Sequence, residues 1–208
     1  MTLSAEKLCK RYNREWIFRD FSFLFEPGTY AITGPNGSGK STLLQVLWGQ
    51  VPATAGTLTY QRGETAVPIE DVYRHVTIAA PYVDLMEELT LAELLRFHFS
   101  FKKVRDNRTL GELEDLMELG HARNKAVGHF SSGMKQRLKL GLAFFSEVPL
   151  VFLDEPTTNL DKSAIAWYWR HFSALPPETT VFIASNHESE YPPEARRINL
   201  SEYKAGYK

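Results

Sequence analysis

Between Phe18 and Phe25 apolar and polar residues nearly alternate, the two-residue period of a strand with one buried face. Tyr30–Thr33 reads as a second strand, followed by a glycine-rich loop and an apolar helix over Ser41–Trp48. Gly56–Tyr60 and Val76–Ala79 also fit strands. From Thr90 to about Phe145 the period lengthens to that of a helix. Leu91, Leu94, Leu95, His98 and Phe101 share one face, and Leu110, Leu113 and Met117 another. Met134, Leu138, Gly141, Leu142 and Phe145 recur at the same spacing. Leu150–Leu153 and Val181–Ala184 are unbroken apolar runs, as strands buried on both faces of a parallel sheet require. Between them Ile165, Tyr168, Trp169 and Phe172 mark a helix. The pattern predicts an α/β core interrupted by a helical block between about residues 82 and 145.

Composition narrows the class. The chain has 208 residues, 43% hydrophobic and 24% charged, which suits one domain with a sizeable core. Its formal net charge of -1 offers no broad basic field, so no nucleic-acid partner is expected. Lys102, Lys103, Arg105 and Arg108 read as a solvated basic face. Cys9 is the only cysteine, which excludes an internal disulfide and a metal site of several cysteines. The first twelve residues hold no apolar segment of signal-peptide length. The most apolar stretch, Leu140–Leu153, is short for a bilayer and broken by Ser146, Glu147 and Pro149. A soluble, cytoplasmic protein is expected, with other chains supplying any membrane-spanning part.

Three motifs carry chemistry. Gly34, Pro35, Asn36, Gly37, Ser38, Gly39, Lys40, Ser41 and Thr42 fit G-x-x-x-x-G-K-[ST], with a strand before and an apolar helix after. Glycines let backbone amides turn inward around phosphate oxygens. Lys40 supplies a point charge to the β and γ phosphates, and Ser41 a hydroxyl to Mg²⁺. Downstream, Asp154 and Glu155 end a buried strand, where ligands of open α/β sheets bind. Asp154 is expected to hold Mg²⁺ and Glu155 to polarise an attacking water. The third motif, Phe130–Arg137, starts a helix at Ser-Ser-Gly, with backbone amides suited to an anion. A plain serine-capped helix explains the same residues.

Together these motifs resemble those of the ATP-binding-cassette (ABC) ATPases, in order and over essentially the whole chain. FSSGMKQR resembles the family signature LSGGQ, with Ser131 and Gly133 matching and Phe130, Ser132 and Met134 departing. The resemblance implies an α/β P-loop NTPase core with an N-terminal antiparallel β subdomain and an inserted α-helical subdomain. Residues 1–81 and 146–208 would form the core with its β subdomain, and 82–145 the helical signature subdomain. It also implies that Ser131, Ser132, Gly133 and Met134 bind the γ-phosphate of ATP held by a partner cassette, the same chain or a different one. Tyr12 would stack on adenine, with Trp16 its rival. Asp161 in the stretch Thr157–Asp161 resembles the D-loop residue facing the partner; a helix cap is the other reading. His187 resembles the switch histidine at the γ-phosphate.

The implied protein is the ATP-hydrolysing subunit of an ABC transporter, using ATP and Mg²⁺ and closing as a head-to-tail dimer around two ATP to drive separate transmembrane permease subunits. It would sit on the cytoplasmic face of the membrane, with Tyr82, Leu85 and Met86 meeting the permease. A soluble ABC ATPase outside transport, such as one in cofactor assembly, and a regulatory module without turnover are the alternatives. Two positions depart from the family pattern. Pro81 stands where a glutamine usually reaches toward Mg²⁺ and water, and Asn186 where threonine commonly precedes the histidine.

Overall fold

The computed structural model describes residues 1–204. Residues 205–208 of the expected 146–208 segment lie outside the described residues. The chain opens with β1 (Thr2–Tyr12) and β2 (Glu15–Phe25), an antiparallel hairpin, and then β3 (Gly28–Thr33). Helix α1 (Lys40–Leu47) follows the glycine-rich loop. Next come β4 (Ala55–Arg62), the short β5 (Thr65–Val67) and β6 (Val76–Ala79). Three helices follow, α2 (Leu91–Phe101), α3 (Leu110–Leu116) and α4 (Ser132–Phe145). β7 (Leu150–Asp154), α5 (Lys162–Ser173), β8 (Thr180–Ala184) and β9 (Arg196–Asn199) complete the set.

The strands form two sheets. One is antiparallel in the order β2-β1-β4-β5; the other is parallel in the order β6-β7-β8-β3-β9. β7 and β8 are buried at every residue, as their unbroken apolar runs predict. Two cores result. Phe21, Phe25, Tyr30, Phe152 and Phe182 fill the space between the sheets, with Phe152 and Phe182 stacked 4.6 Å apart. The second core lies between the parallel sheet and the helices. α4 packs directly on β6 and β7, so the last helix of the block is also a layer of the sheet. At its crossing with α3, a Cβ on Gly141 would come within 2.7 Å of the Met117 side chain.

Both α2 and α3 begin with a reciprocal capping box, Thr90 with Glu93 and Thr109 with Glu112. The structure corrects three expectations. Phe101 is exposed rather than part of the buried α2 face, because the helix ends there. The basic run is only partly a solvated face: Lys103 is exposed, but Lys102 and Arg105 turn inward. Arg105 is buried and donates to the Ser146 carbonyl at 2.9 Å, and Lys102 donates to the Val76 carbonyl. Burial lowers the pKa of Lys102 to about 8. Both cations satisfy carbonyls at element ends, Val76 at the start of β6 and Ser146 just after α4. Tyr82, expected as an exposed contact for the permease, turns inward against Trp48, ring centroids 6.1 Å apart, with its hydroxyl buried.

Candidate functional site

The site is assembled along one edge of the parallel sheet, where β3, β7 and β8 end. The loop after β3 holds Gly34, Gly37 and Gly39 at φ of 140°, 76° and 100°, values that favour glycine. A Cβ on Gly39 would lie 2.2 Å from Ile17 of β2, so the antiparallel sheet packs hard against this loop. Gly39 is also the residue preceding α1 and gives no side-chain cap, which leaves the first-turn amides available to an anion. Lys40 is buried and donates across the loop to the carbonyls of Gly34 at 2.9 Å and Pro35 at 3.2 Å. Burial lowers its pKa, against the charges of Asp154 and Glu155. Ser38 Oγ is buried without a hydrogen-bond partner. Pro35, Asn36 and Gly37 are exposed, and Ser41 and Thr42 half-buried.

Asp154 closes β7 with its Oδ2 buried and unpartnered. Burial pushes its pKa up; the Ser41 and Tyr82 hydroxyls and the Lys40 charge oppose this, while Glu155 adds to it. Glu155 is exposed at φ 45°, an uncommon conformation for a side chain of this size. Its N–H donates to Ala184 at the end of β8, 3.0 Å away. After β8, Asn186 donates from Nδ2 to Asn36 Oδ1 at 2.5 Å, tying this segment to the phosphate loop. His187 is exposed beside it. The departure from threonine at Asn186 therefore makes a link of its own.

The donor set fits a magnesium nucleotide. An orphaned buried carboxylate, a neighbouring hydroxyl and uncapped amides lie together, and Mg²⁺ favours one or two carboxylates plus substrate phosphates. Among the described residues no group of three or more His, Cys, Asp or Glu is placed to hold a metal by itself.

This geometry agrees with three comparisons. The ABC transporter family profile matches residues 18–158. The chain belongs to the ABC transporter family. It is 30% identical over 203 residues to the daunorubicin resistance ATP-binding protein DrrA2 of Streptomyces coeruleorubidus, covering 94% of this chain and 62% of that one. It is 26% identical over 196 residues to ATP-binding cassette sub-family A member 2 of Rattus norvegicus, covering 91% of this chain and 8% of that one. The chain thus spans less than two thirds of either relative. An ABC transporter ATP-binding protein from Pyrococcus furiosus superposes with a TM-score of 0.78 at 21% identity, covering 99% of this chain and 100% of that one. The shared fold is the ABC ATPase fold.

The remaining predicted residues lie around this edge. Tyr12 ends β1 exposed, with Lys10 Nζ 4.7 Å from its ring centre. Trp16, its rival, is covered by the Arg11 and Arg19 guanidiniums at 5.1 and 4.9 Å. Ser131 caps α4 by accepting the Met134 N–H at 3.2 Å, so one of the amides expected to be bare is occupied. Ser131 and Ser132 are exposed, Gly133 and Met134 half-buried. Asp161 caps α5, accepting the Ala164 N–H at 2.8 Å and the Ser163 hydroxyl at 2.7 Å; the hydroxyl first, and then the capping amide, lower its pKa. A Cβ on Gly133 would sit 3.2 Å from the Asn159 carbonyl, so the α4 start and the Thr157–Asp161 turn share one surface.

Sequence reasoning missed three groups. Gln136 donates to the Pro156 carbonyl at 2.7 Å, joining α4 to the acidic strand end. Lys139 donates to the Ala80 and Pro81 carbonyls at 3.0 and 3.3 Å, fixing the segment that lacks glutamine. Tyr82 stands beside Asp154. The run of Gln136 and Lys139 along α4 was visible, but nothing local to either residue names its partner.

Proposed function

We propose that this chain is the ATP-hydrolysing subunit of an ABC transporter. The observation that carries the reading is the convergence of Lys40, Asp154, Glu155 and His187 from three strand ends on one sheet edge. The phosphate-loop amides and Lys40 bind the β and γ phosphates. Ser41 and Asp154 hold Mg²⁺, which when bound neutralises phosphate charge. The exposed Glu155 carboxylate orients and deprotonates water, worth typically about 10²–10⁴-fold. His187 contacts the γ-phosphate, and Tyr12 stacks on adenine.

Turnover in this reading takes two cassettes. Ser131, Ser132, Gly133 and Met134 close over the partner's ATP, and Asp161 lies on the same contact surface. The exposed serines beside the Thr157–Asp161 turn support this, as does their lack of any hydrogen bond to the chain's own phosphate loop among the described residues. Transmembrane permease subunits would dock in a groove of about 240 Å³ lined by Leu85, Met86, Leu94 and Phe97. Met86 and Phe97 are exposed there. Among the described residues no helix is long and apolar enough to cross a membrane, in keeping with spans on other chains.

The test is Lys40→Ala. Phosphates then lose their fixed cation, and kcat/KM for ATP is expected to fall at least about 100-fold, or roughly 2.7 kcal/mol. Hydrolysis within about threefold of the parent would refute the assignment.

A further inference from the structure

Glu190 ends the stretch that carries His187 and has no role in the sequence reading, yet it is only 2% exposed. Its Oε1 accepts the Thr157 N–H at 3.0 Å and also the Thr157 hydroxyl. Its Oε2 accepts the Ser185 hydroxyl. Ser185 Oγ in turn accepts the N–H of His187 at 2.8 Å. The Glu190 backbone is fixed as well. Its N–H donates to the His187 carbonyl at 3.0 Å, and its carbonyl accepts the Tyr168 hydroxyl of α5 at 2.7 Å. One carboxylate therefore spans two loops, the turn just after Glu155 and the segment bearing His187. No cation within ion-pair distance balances it among the described residues.

We propose that Glu190 is a positioning residue that couples the Thr157–Asp161 turn to the His187 segment. The inference rests on the roles given to those two segments above. Its physics is that of a buried anion held by hydroxyl and amide donors alone. Loss of a donor leaves a buried carboxylate under-satisfied, which is costly. The network therefore favours one complete arrangement over partial ones. Movement of the turn, which carries Thr157 on one side and the partner-facing Asp161 on the other, withdraws both Thr157 donors from Oε1. Glu190 must then reorient, and Ser185 and the His187 backbone move with it. Closure of a partner on the turn would by this route set the histidine.

The experiment is amide hydrogen exchange on the full chain without nucleotide, comparing parent, Ser185→Ala and Glu190→Gln. Ser185 makes no hydrogen bond to Thr157; its hydroxyl is linked to that turn through the Glu190 carboxylate. Ser185→Ala is expected to raise exchange at Thr157–Asn159 by at least about fivefold, as local opening becomes easier. Unchanged exchange in that turn overturns the proposal. In turnover assays Glu190→Gln is expected to lower kcat about tenfold with KM within about twofold, and to add little to His187→Ala. Fully multiplicative losses overturn it. If Glu190→Gln fails to fold, Ser185→Ala and Thr157→Val give the same two readouts. A parent without ATPase activity would sink the proposed function, while the exchange arm would still decide the coupling.

Discussion

Asp154 shows how much one residue gives up for the site. Its carboxylate is buried with an unpartnered oxygen, and burial raises its pKa. A carboxyl whose folded pKa is raised binds more protons folded than unfolded, so its penalty is absent at low pH and grows as pH rises through the window above 3.8. Asp154→Asn is therefore expected to raise the melting temperature of the ligand-free protein at pH 7 by about 2–4 °C, roughly 1 kcal/mol. The same variant should lose Mg²⁺-dependent nucleotide binding. Calorimetry with and without Mg²⁺ checks both halves; a lower melting temperature would show that Asp154 stabilises the fold instead. The neighbouring departure at Pro81 has a similar local logic. Lys139 holds the Pro81 carbonyl, and the next residue, Tyr82, sends its hydroxyl toward Asp154. The segment thus already delivers a polar group to the acidic edge. Pro81→Gln is expected to leave the hydrolysis rate within about twofold, whereas Tyr82→Phe lowers it about tenfold, or 1.4 kcal/mol. A large gain in Pro81→Gln would show that the missing glutamine limits turnover.

Among elements, those with one clear period were legible and those with interrupted periods were not. β7, β8 and the α2, α4 and α5 helices lie where their patterns predict. β1 escaped because its alternation breaks at Lys7, which sits at φ 48° where the register with β2 and β4 shifts. β9 is an edge strand with Ile198 as its one buried residue, and β5 is three residues long with none. Such strands carry too few apolar positions to show a period. In α5 the predicted stripe omitted Trp167, which is buried and donates from its indole to the Leu116 carbonyl at 2.6 Å. The glycine-rich loop lies where its motif predicts, between β3 and α1, because its positive-φ positions restrict residue types at fixed spacing. Glu190, Gln136 and the Asn36–Asn186 pair were not readable, because their partners lie 33, 20 and 150 positions away. α4 carries the element-scale lesson. Serine capping was one reading of its start and a partner's phosphate the other, and Ser131 does cap it while staying exposed. Capping aligns the helix end; it does not use up the serine hydroxyl as a donor.

The whole molecule offers two separate outer surfaces. The Leu85–Met86 groove lies by α2, and the α4 start lies by the Thr157–Asp161 turn. Leu85→Asp with Met86→Asp is expected to abolish co-sedimentation with membranes that contain the permease, while ATP affinity stays within about twofold. Retained membrane binding by a folded double variant would move the docking site elsewhere. The central claim, a cassette that shares its ATP between two chains, is tested most directly by sedimentation velocity of Glu155→Gln with saturating ATP and Mg²⁺. Without its base the variant should keep ATP uncleaved, and each ATP should hold the opposing chain's Ser131 and Gly133. The account predicts a dimer that appears only with ATP and is lost in Glu155→Gln/Ser131→Arg. A species that stays monomeric with bound ATP, or a dimer indifferent to Ser131→Arg, would contradict it.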